Sequence, residues 1–470
     1  MNRAIINFEQ KNLDTIHNYS LELLQSTGIK FPCQKALGIF KKHGFHTDGD
    51  IVFFKEEDIH KAMAAVPPAF TIKARNPAKS IRVGGNNFVM APGYGPPFII
   101  EPSGEKRNAI LRDVQNFCKL VQTSKHLDFN SAMVVQPGDV PQDTAHLDIL
   151  LATMLLTDKP IMGSSVSAAA AADSLKLAEM IWGHRDEPVM ISLVDSLSPL
   201  QYAAEMVDAT MVFAEAGQPL IIHSACNLGT TGPITIAGSL VISNATTLAG
   251  ICLAQLINPG TPIVYGLGGS PTEMQTGGYV NGSPEDAKHT AIATAMGRYY
   301  NIPCRSQGAL TESFGLDYQA GMESAMMLTT AALSGVHLSL HACGTYGSMI
   351  AMSYEKFIAD EDLCGALKKL MQPVEFTDDA YAMDLIKELG TSGDYLMQMH
   401  TVNRCRDEFF RPDLSNQKMH SEWLEMEPRD ITQRAGKLLE KRLTEYEKPE
   451  IDPQLEKDLV QYVRGRKQDT

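Results

Sequence analysis

No C-x-x-C pair, no H-E-x-x-H run and no P-loop occurs in the 470 residues. Their absence removes common signatures of structural zinc, zinc peptidases and nucleoside triphosphate hydrolysis. Basic residues are in deficit: 41 Lys and Arg against 55 Asp and Glu leave a net charge of −14. That balance argues against nucleic acid and anionic membrane as partners, since both select for basic patches. Long apolar runs are scarce. Stretches such as 161–172 stop well short of the roughly 20 residues of a membrane span, and no span is expected. The opening MNRAIINFEQKNLD has no apolar core, so no secretory signal is expected. The eight cysteines, at 33, 118, 226, 252, 304, 343, 364 and 405, are scattered through apolar segments. They read as free core thiols of a cytoplasmic protein, and no bound metal is expected.

What is present is ordinary globular composition, 44% hydrophobic and 20% charged. The length admits three small domains or one barrel of roughly 250 residues with flanking elements. Residues 1–110 read as an N-terminal α+β cap. Leu13, Ile16, Leu21 and Leu24 recur near helical spacing, Ile51–Phe54 reads as a strand, and Glu56–Ala65 is a helix stopped by Pro67-Pro68. Residues 111–420 alternate short β-rich runs with long helical segments. The strand candidates are Asp128–Val135, Pro160–Val166, Pro188–Val194, Pro219–Ser224, Pro262–Leu267, Ile302–Ala309, Val336–Ala342 and Tyr395–Met399. The expected fold is therefore a (β/α)8 TIM barrel, with an open doubly wound sheet as runner-up because alternation alone does not show closure. Prolines beside five strand starts mark the αβ junctions and so place the ligands at the opposite strand ends. Residues 421–470 read as a C-terminal helical extension.

Three segments could carry chemistry. In Val336–Gly344, period-two alternation sets His337, Ser339, His341 and Cys343 on one face, read as the lumen side. His337 and His341 lie too far apart on a strand to share one ion. The loop from Gly308 to Glu323 carries Glu312 and Asp317, the latter in an N-cap position. The turn Met90–Pro97 carries Tyr94, without the spacing of a dinucleotide fingerprint. Asp195 and His223 complete the polar inventory of the mouth. These residues alone leave three readings open: a metal-free lyase or hydrolase using His341 with Glu312 or Asp317 as acid and base, a non-catalytic binder, or a transferase.

The same segments resemble the trimethylamine:corrinoid methyltransferase family. Ser306–Ser324 (SQGALTESFGLDYQAGMES) is similar to its Gly-Ala-Leu-Thr-Asp-Ser…Asp-x-Gln-Ala-Gly-x-Glu signature, and Ala351–Gly365 (AMSYEKFIADEDLCG) to a second. Gly232–Gly238 with Asn244–Ile251, His400–Pro412 and Ser103–Arg107 add three more blocks in the family's order. The chain carries no pyrrolysine, so it resembles the branch that demethylates quaternary amines such as glycine betaine. It departs from many relatives at Thr246, where they have Glu, and at Phe314, where they have Lys. The resemblance implies methyl transfer from a quaternary amine to Co(I) of cobalamin held by a separate corrinoid protein, with no tightly bound cofactor and a homo-oligomeric state. It also implies a site for a cationic head. The expected aromatic contacts, at ~0.5–2 kcal/mol each, are Tyr94, Phe314, Tyr346 and Phe357. His341 is expected to donate to a substrate carboxylate, with His223, Glu312, Asp317 and Gln319 around it.

Overall fold

A computed structural model describes residues 8–131, 133–183 and 186–469. Its centre is a curled parallel sheet of seven strands: β1 (Val89–Met90), β2 (Ile161–Gly163), β3 (Met190–Asp195), β4 (Leu220–Ala225), β5 (Ile263–Gly268), β6 (Cys304–Gln307) and β7 (Leu338–Leu340). The order is β1-β7-β6-β5-β4-β3-β2. Strands buried on both faces need no polar alternation, which is why runs such as Leu220-Ile221-Ile222 are continuous. At the two outer strands lies Asp128–Asn130. Asp128 N donates to Met90 O at 2.8 Å on one side, and Asn130 N to Pro160 O at 2.9 Å on the other.

Crossover helices cover the outside: α1 (Ala145–Leu156), α2 (Ala168–Trp182), α3 (Ala204–Glu215), α4 (Ile236–Ile257), α5 (Pro284–Tyr299), α6 (Tyr318–Ser334) and α7 (Tyr354–Met371). Several start on a side-chain cap. Ser167, Thr235, Ser283, Asp317 and Ser353 each accept a backbone N–H of the first turn, a contact worth about 1 kcal/mol. The outward side chains Met190, Leu220, Ile222, Ile263 and Tyr265 pack with those helices. The inward ones, Met162, Ile191, Leu193, Ile221, Val264, Leu338 and Leu340, form a separate core. The hairpin Ala69–Ile72/Ile81–Gly84 adds Phe70, Ile72, Ile81 and Val83 to it. Each such side chain, fully buried, contributes about 1.5–3 kcal/mol.

Five expectations are corrected. Tyr395–Met399 is not a strand. It lies in a turn leading into the helix Met399–Glu408, with Leu396 and Met397 more than 70% exposed. Its alternation has no sheet face to bury. Val89–Met90, two residues in the expected cap, pairs with β7 instead. Of Asp128–Val135 only Asn130 bridges the sheet, and Ala132 lies outside the described residues. The faces of β7 are inverted: Leu338 and Leu340 point into the inner core, so Ser339 and His337 face outward. Finally, α4 is long and apolar enough to span a membrane by length and composition, contrary to expectation. It is a core helix, with Leu248, Ala249, Ile251 and Cys252 fully buried.

Candidate active site

Inward residues change character along the strands. Near the strand starts they are apolar. Toward the C-terminal ends the same face carries Asp195 on β3, His223 on β4, and Arg305 and Gln307 on β6, lining a cavity of about 490 Å³. On β5 the corresponding positions are Gly266 and Gly268. A Cβ at Gly266 would lie 3.0 Å from His223 Cδ2 and 3.1 Å from Arg305 Cγ, and one at Gly268 would lie 2.8 Å from His223 Nε2. The two glycines thus provide the room in which a guanidinium and an imidazole sit side by side.

These polar groups form a chain. The His223 Nδ1–H donates to Asp195 Oδ1, and Arg305 Nη1 donates to His223 Nε2 at 2.9 Å. With Nε2 accepting, His223 is the neutral Nδ1–H tautomer. Burial and the Arg305 charge hold its pKa below the ordinary value, against the pull of Asp195. Burial works against the Asp195 charge too. The His223 contact, with Arg305 and His341, nevertheless keeps its carboxyl below the usual carboxylate range. Although deep in the mouth, its side chain remains 51% exposed because it faces the open cavity. Burial lowers Arg305 to about 10, still cationic at neutral pH. The cavity therefore holds one fixed anion and one fixed cation.

His341 lies directly after β7. Its φ of 58° is left-handed, uncommon for a side chain larger than glycine. That turn breaks the strand's alternation, and His341 lines the cavity although Leu340 before it already faces inward. The Tyr94 N–H donates to His341 Nδ1 at 3.4 Å, which leaves the ring proton on Nε2 as a donor. Burial, with Arg305 and His223 nearby, lowers His341 to about 3, so the ring is neutral. Burial also pushes the Tyr94 phenol up to about 12. It stays protonated, its ring beside the cavity.

Tyr94, His223 and His341 are thus brought together. The other expected residues lie elsewhere. Phe357 is fully buried in the outer core, 5.6 Å from the Phe117 ring. Tyr346 is buried, with Lys356 Nζ 5.7 Å from its ring centroid. Phe314 is half exposed and packs at Gly347, where a Cβ would come within 2.3 Å of its ring. Asp317 caps α6 through Ala320 N at 2.9 Å. Gln319 donates to Glu323 on the surface. Glu312 sits behind the cavity wall, accepting from Asn281 N and Ser348 N. His337 accepts from Cys304 N through Nδ1 and donates to Gly85 O, a satisfied buried histidine.

Arg305, Gln307, Tyr279, Asn281 and Met349 also line the cavity and were not expected. Arg305 had a legible signal: a charge inside the apolar strand between Ile302 and Ala309, where an unpaired one is rarely tolerated. Three buried polar atoms on this wall, Arg305 Nε, Gln307 Oε1 and Asn281 Nδ2, have no hydrogen-bond partner among the described residues. Buried polar groups are seldom left so without a ligand or water to meet them. Among the described residues no group of three His, Cys, Asp or Glu is placed to hold a metal ion.

The trimethylamine methyltransferase (MTTB) family matches residues 2–470. A glycine betaine methyltransferase of Desulfitobacterium hafniense (strain Y51) is 38% identical, covering 97% of this chain and 96% of its own length. A proline betaine:corrinoid methyltransferase of Eubacterium limosum is 33% identical, covering 96% and 95%. The crystal structure of the Methanosarcina barkeri monomethylamine methyltransferase shares the fold, with a TM-score of 0.54 at 12% identity over 95% of this chain and 89% of that one. With the family matched from end to end, this chain is a member of the trimethylamine methyltransferase family.

Proposed function

We propose that this chain transfers a methyl group from a zwitterionic quaternary amine, glycine betaine first among them, to a corrinoid carried by a partner protein, releasing a tertiary amine such as dimethylglycine. The observation that carries this reading is the pairing of fixed charges in the cavity: Asp195 and Arg305, with both histidines neutral. A betaine has one permanent cation and one carboxylate, and matches that arrangement as a simple cation does not. Arg305, with its unpartnered Nε, and the Nε2–H of His341 take the carboxylate. Asp195 and the Tyr94 ring face the trimethylammonium head.

The tertiary amine leaves neutral, so this chain need not protonate it. Its residues hold the N-methyl group toward the mouth, fix its direction and keep water from the reacting carbon. The corrinoid, a co-substrate, supplies the electron pair that takes the methyl carbon while the C–N pair stays on nitrogen. Open strand ends at the mouth suit an acceptor that approaches from outside. In support of a closed (β/α)8 ring, Asp128–Asn130 serves as the eighth stave between β1 and β2.

A lyase or hydrolase using His341 with Glu312 or Asp317 is disfavoured, because both carboxylates are engaged by backbone N–H groups away from the imidazole. The test is a panel of glycine betaine, proline betaine, carnitine and tetramethylammonium incubated with reduced cobalamin, following corrinoid methylation in the visible spectrum. Turnover of a betaine only with reduced corrinoid supports the proposal. Turnover without corrinoid, or binding without any turnover, rejects it.

A further inference from the structure

Two segments outside the sheet form the outer wall of the cavity. One runs from Gly269 to Gly282 after β5 and carries Tyr279 and Asn281. The other is the turn 347–350 after β7 and carries Met349. They come from different parts of the chain and meet on one side chain. Glu312 Oε1 accepts from Asn281 N at 2.8 Å and from Ser348 N at 3.0 Å. Its Oε2 lies 3.1 Å from Ser348 N and 2.9 Å from Ser348 Oγ. The same hydroxyl lies 2.9 Å from the Tyr279 carbonyl, so its one proton serves either the carboxylate or the neighbouring loop.

The turn is strained. Ser348 and Met349 are consecutive non-glycine residues at φ 46° and 61°. Left-handed backbone at such residues is costly and persists only where the surroundings hold it. The carboxylate that accepts the Ser348 N–H is such a hold. Glu312 is itself fixed from behind: Glu323 Oε2 accepts from Glu312 N at 2.9 Å and from Thr311 Oγ1 at 2.6 Å. The first loop is pressed onto this knot at Gly282, where a Cβ would come within 2.8 Å of both Glu323 Cβ and Leu310 O.

We infer that Glu312 is a positioning residue that latches these two loops over the cavity, so that Tyr279, Asn281 and Met349 close around a bound quaternary amine. It acts through Asn281 and Ser348, without touching the ligand. The inference rests on the proposed function only for the identity of that ligand. The latch itself makes a claim about the loops, whatever fills the cavity.

The test compares the full-length wild type with Glu312→Gln, Glu312→Ala and Ser348→Ala. Amide hydrogen exchange reads segments 269–282 and 345–351, and calorimetry reads glycine betaine affinity. A hydrogen bond to a charged group supports an expected rise of roughly 10-fold or more in loop exchange for Glu312→Ala, with the sheet unchanged. Glu312→Gln, which keeps one acceptor oxygen, should fall between it and wild type. Ser348→Ala, which spares the carboxylate and the fold, should loosen the same two segments to a smaller degree. Betaine affinity should fall in the same order, as should kcat/KM, through KM more than kcat. Loop exchange equal to wild type in Ser348→Ala and Glu312→Gln overturns the latch. If wild type binds no quaternary amine while the loops still loosen as described, the proposed function fails and the latch stands.

Discussion

The Arg305 guanidinium donates to His223 Nε2 at 2.9 Å, at the level of the sheet where β5 has only glycine. The contact fixes the tautomer of His223, and Arg305, whose Nε has no partner among the described residues, lines the ligand space. Replacing Arg305 with Met keeps bulk and removes the anchor for a carboxylate. Glycine betaine should then bind about 10–100-fold more weakly, the worth of ~1.5–3 kcal/mol for a charge-assisted hydrogen bond. Tetramethylammonium, with no carboxylate, should lose far less. Calorimetric titration of both ligands checks this, and equal losses would remove Arg305 from the carboxylate end.

Gly268→Ala puts a methyl 2.8 Å from His223 Nε2. The imidazole is pinned by Asp195 on its other side, so it has little freedom to yield. Overpacking of this kind costs about 1–3 kcal/mol. The variant should melt about 1–3 °C lower and lose betaine affinity although residue 268 has no polar side chain. A melting temperature and affinity equal to wild type would show that the tier is loosely packed.

Tyr94 and Phe357 separate two roles that aromatic composition alone leaves mixed. Tyr94→Leu should weaken betaine binding about 5–30-fold, the loss of one good cation–π partner, while the fold survives. Phe357→Ala opens a cavity in the outer core and should destabilise by about 3–5 kcal/mol. Urea denaturation and ligand titration on the two variants check the contrast. Similar stability losses in both would contradict the different settings of the two rings.

Acid should unfold this protein from the histidine side. Burial, chiefly, lowers His341 to about 3 and His289 and His337 to about 4, from 6.5. Each takes up its proton more readily once unfolded. Stability is therefore full above pH 6.5 and falls as pH drops toward 4, with a slope of at most about 1.4 kcal/mol per pH unit for each histidine. Asp286 opposes the trend: burial raises its carboxyl to about 7, so it favours the folded form as pH falls from 7 toward 4. The net expectation is a urea midpoint that declines between pH 6.5 and 5. His289→Gln, at a buried site behind Gly269 of the cavity wall, should flatten that decline. A midpoint independent of pH over this range would show that these rings protonate freely in the folded state.

Much of this architecture is legible in the residues. Prolines at 160, 188, 219, 262 and 303 stand immediately before or close to the starts of β2 to β6, because a proline at a strand's edge forfeits no ladder bond. The N-cap at Asp317 and the helix 56–65 follow from local chemistry alone. What local chemistry cannot give is which side of a doubly buried strand faces inward. On β7 the polar residues Ser339 and His337 point toward the helices, with His337 bonded to Gly85 and Cys304, while leucines fill the lumen. The alternation is present in the sequence; its sign is set by tertiary partners. The stave at Val89–Met90 is only two residues long, below any periodicity signal, whereas Tyr395–Met399 has strand-like composition and no neighbour to pair with. Asp195 and His223 could be placed by their strand ends. The extension of that pair to Arg305 through His223 could not, because it depends on two glycines on the strand between them.

The left-handed backbone at His341 narrows what that position can become. Only glycine, asparagine and aspartate tolerate positive φ with comparable ease. Glycine and aspartate offer no N–H at the place of the imidazole Nε2, and the asparagine amide is too short to reach it. A β-branched residue would offer neither the donor nor the turn. Random change at 341 therefore divides into substitutions that keep the chain's path and empty the contact, and substitutions that lose both. A saturation library at this one codon, sorted first for soluble expression and then for betaine binding, should pass a small group through the first sort and return histidine almost alone from the second.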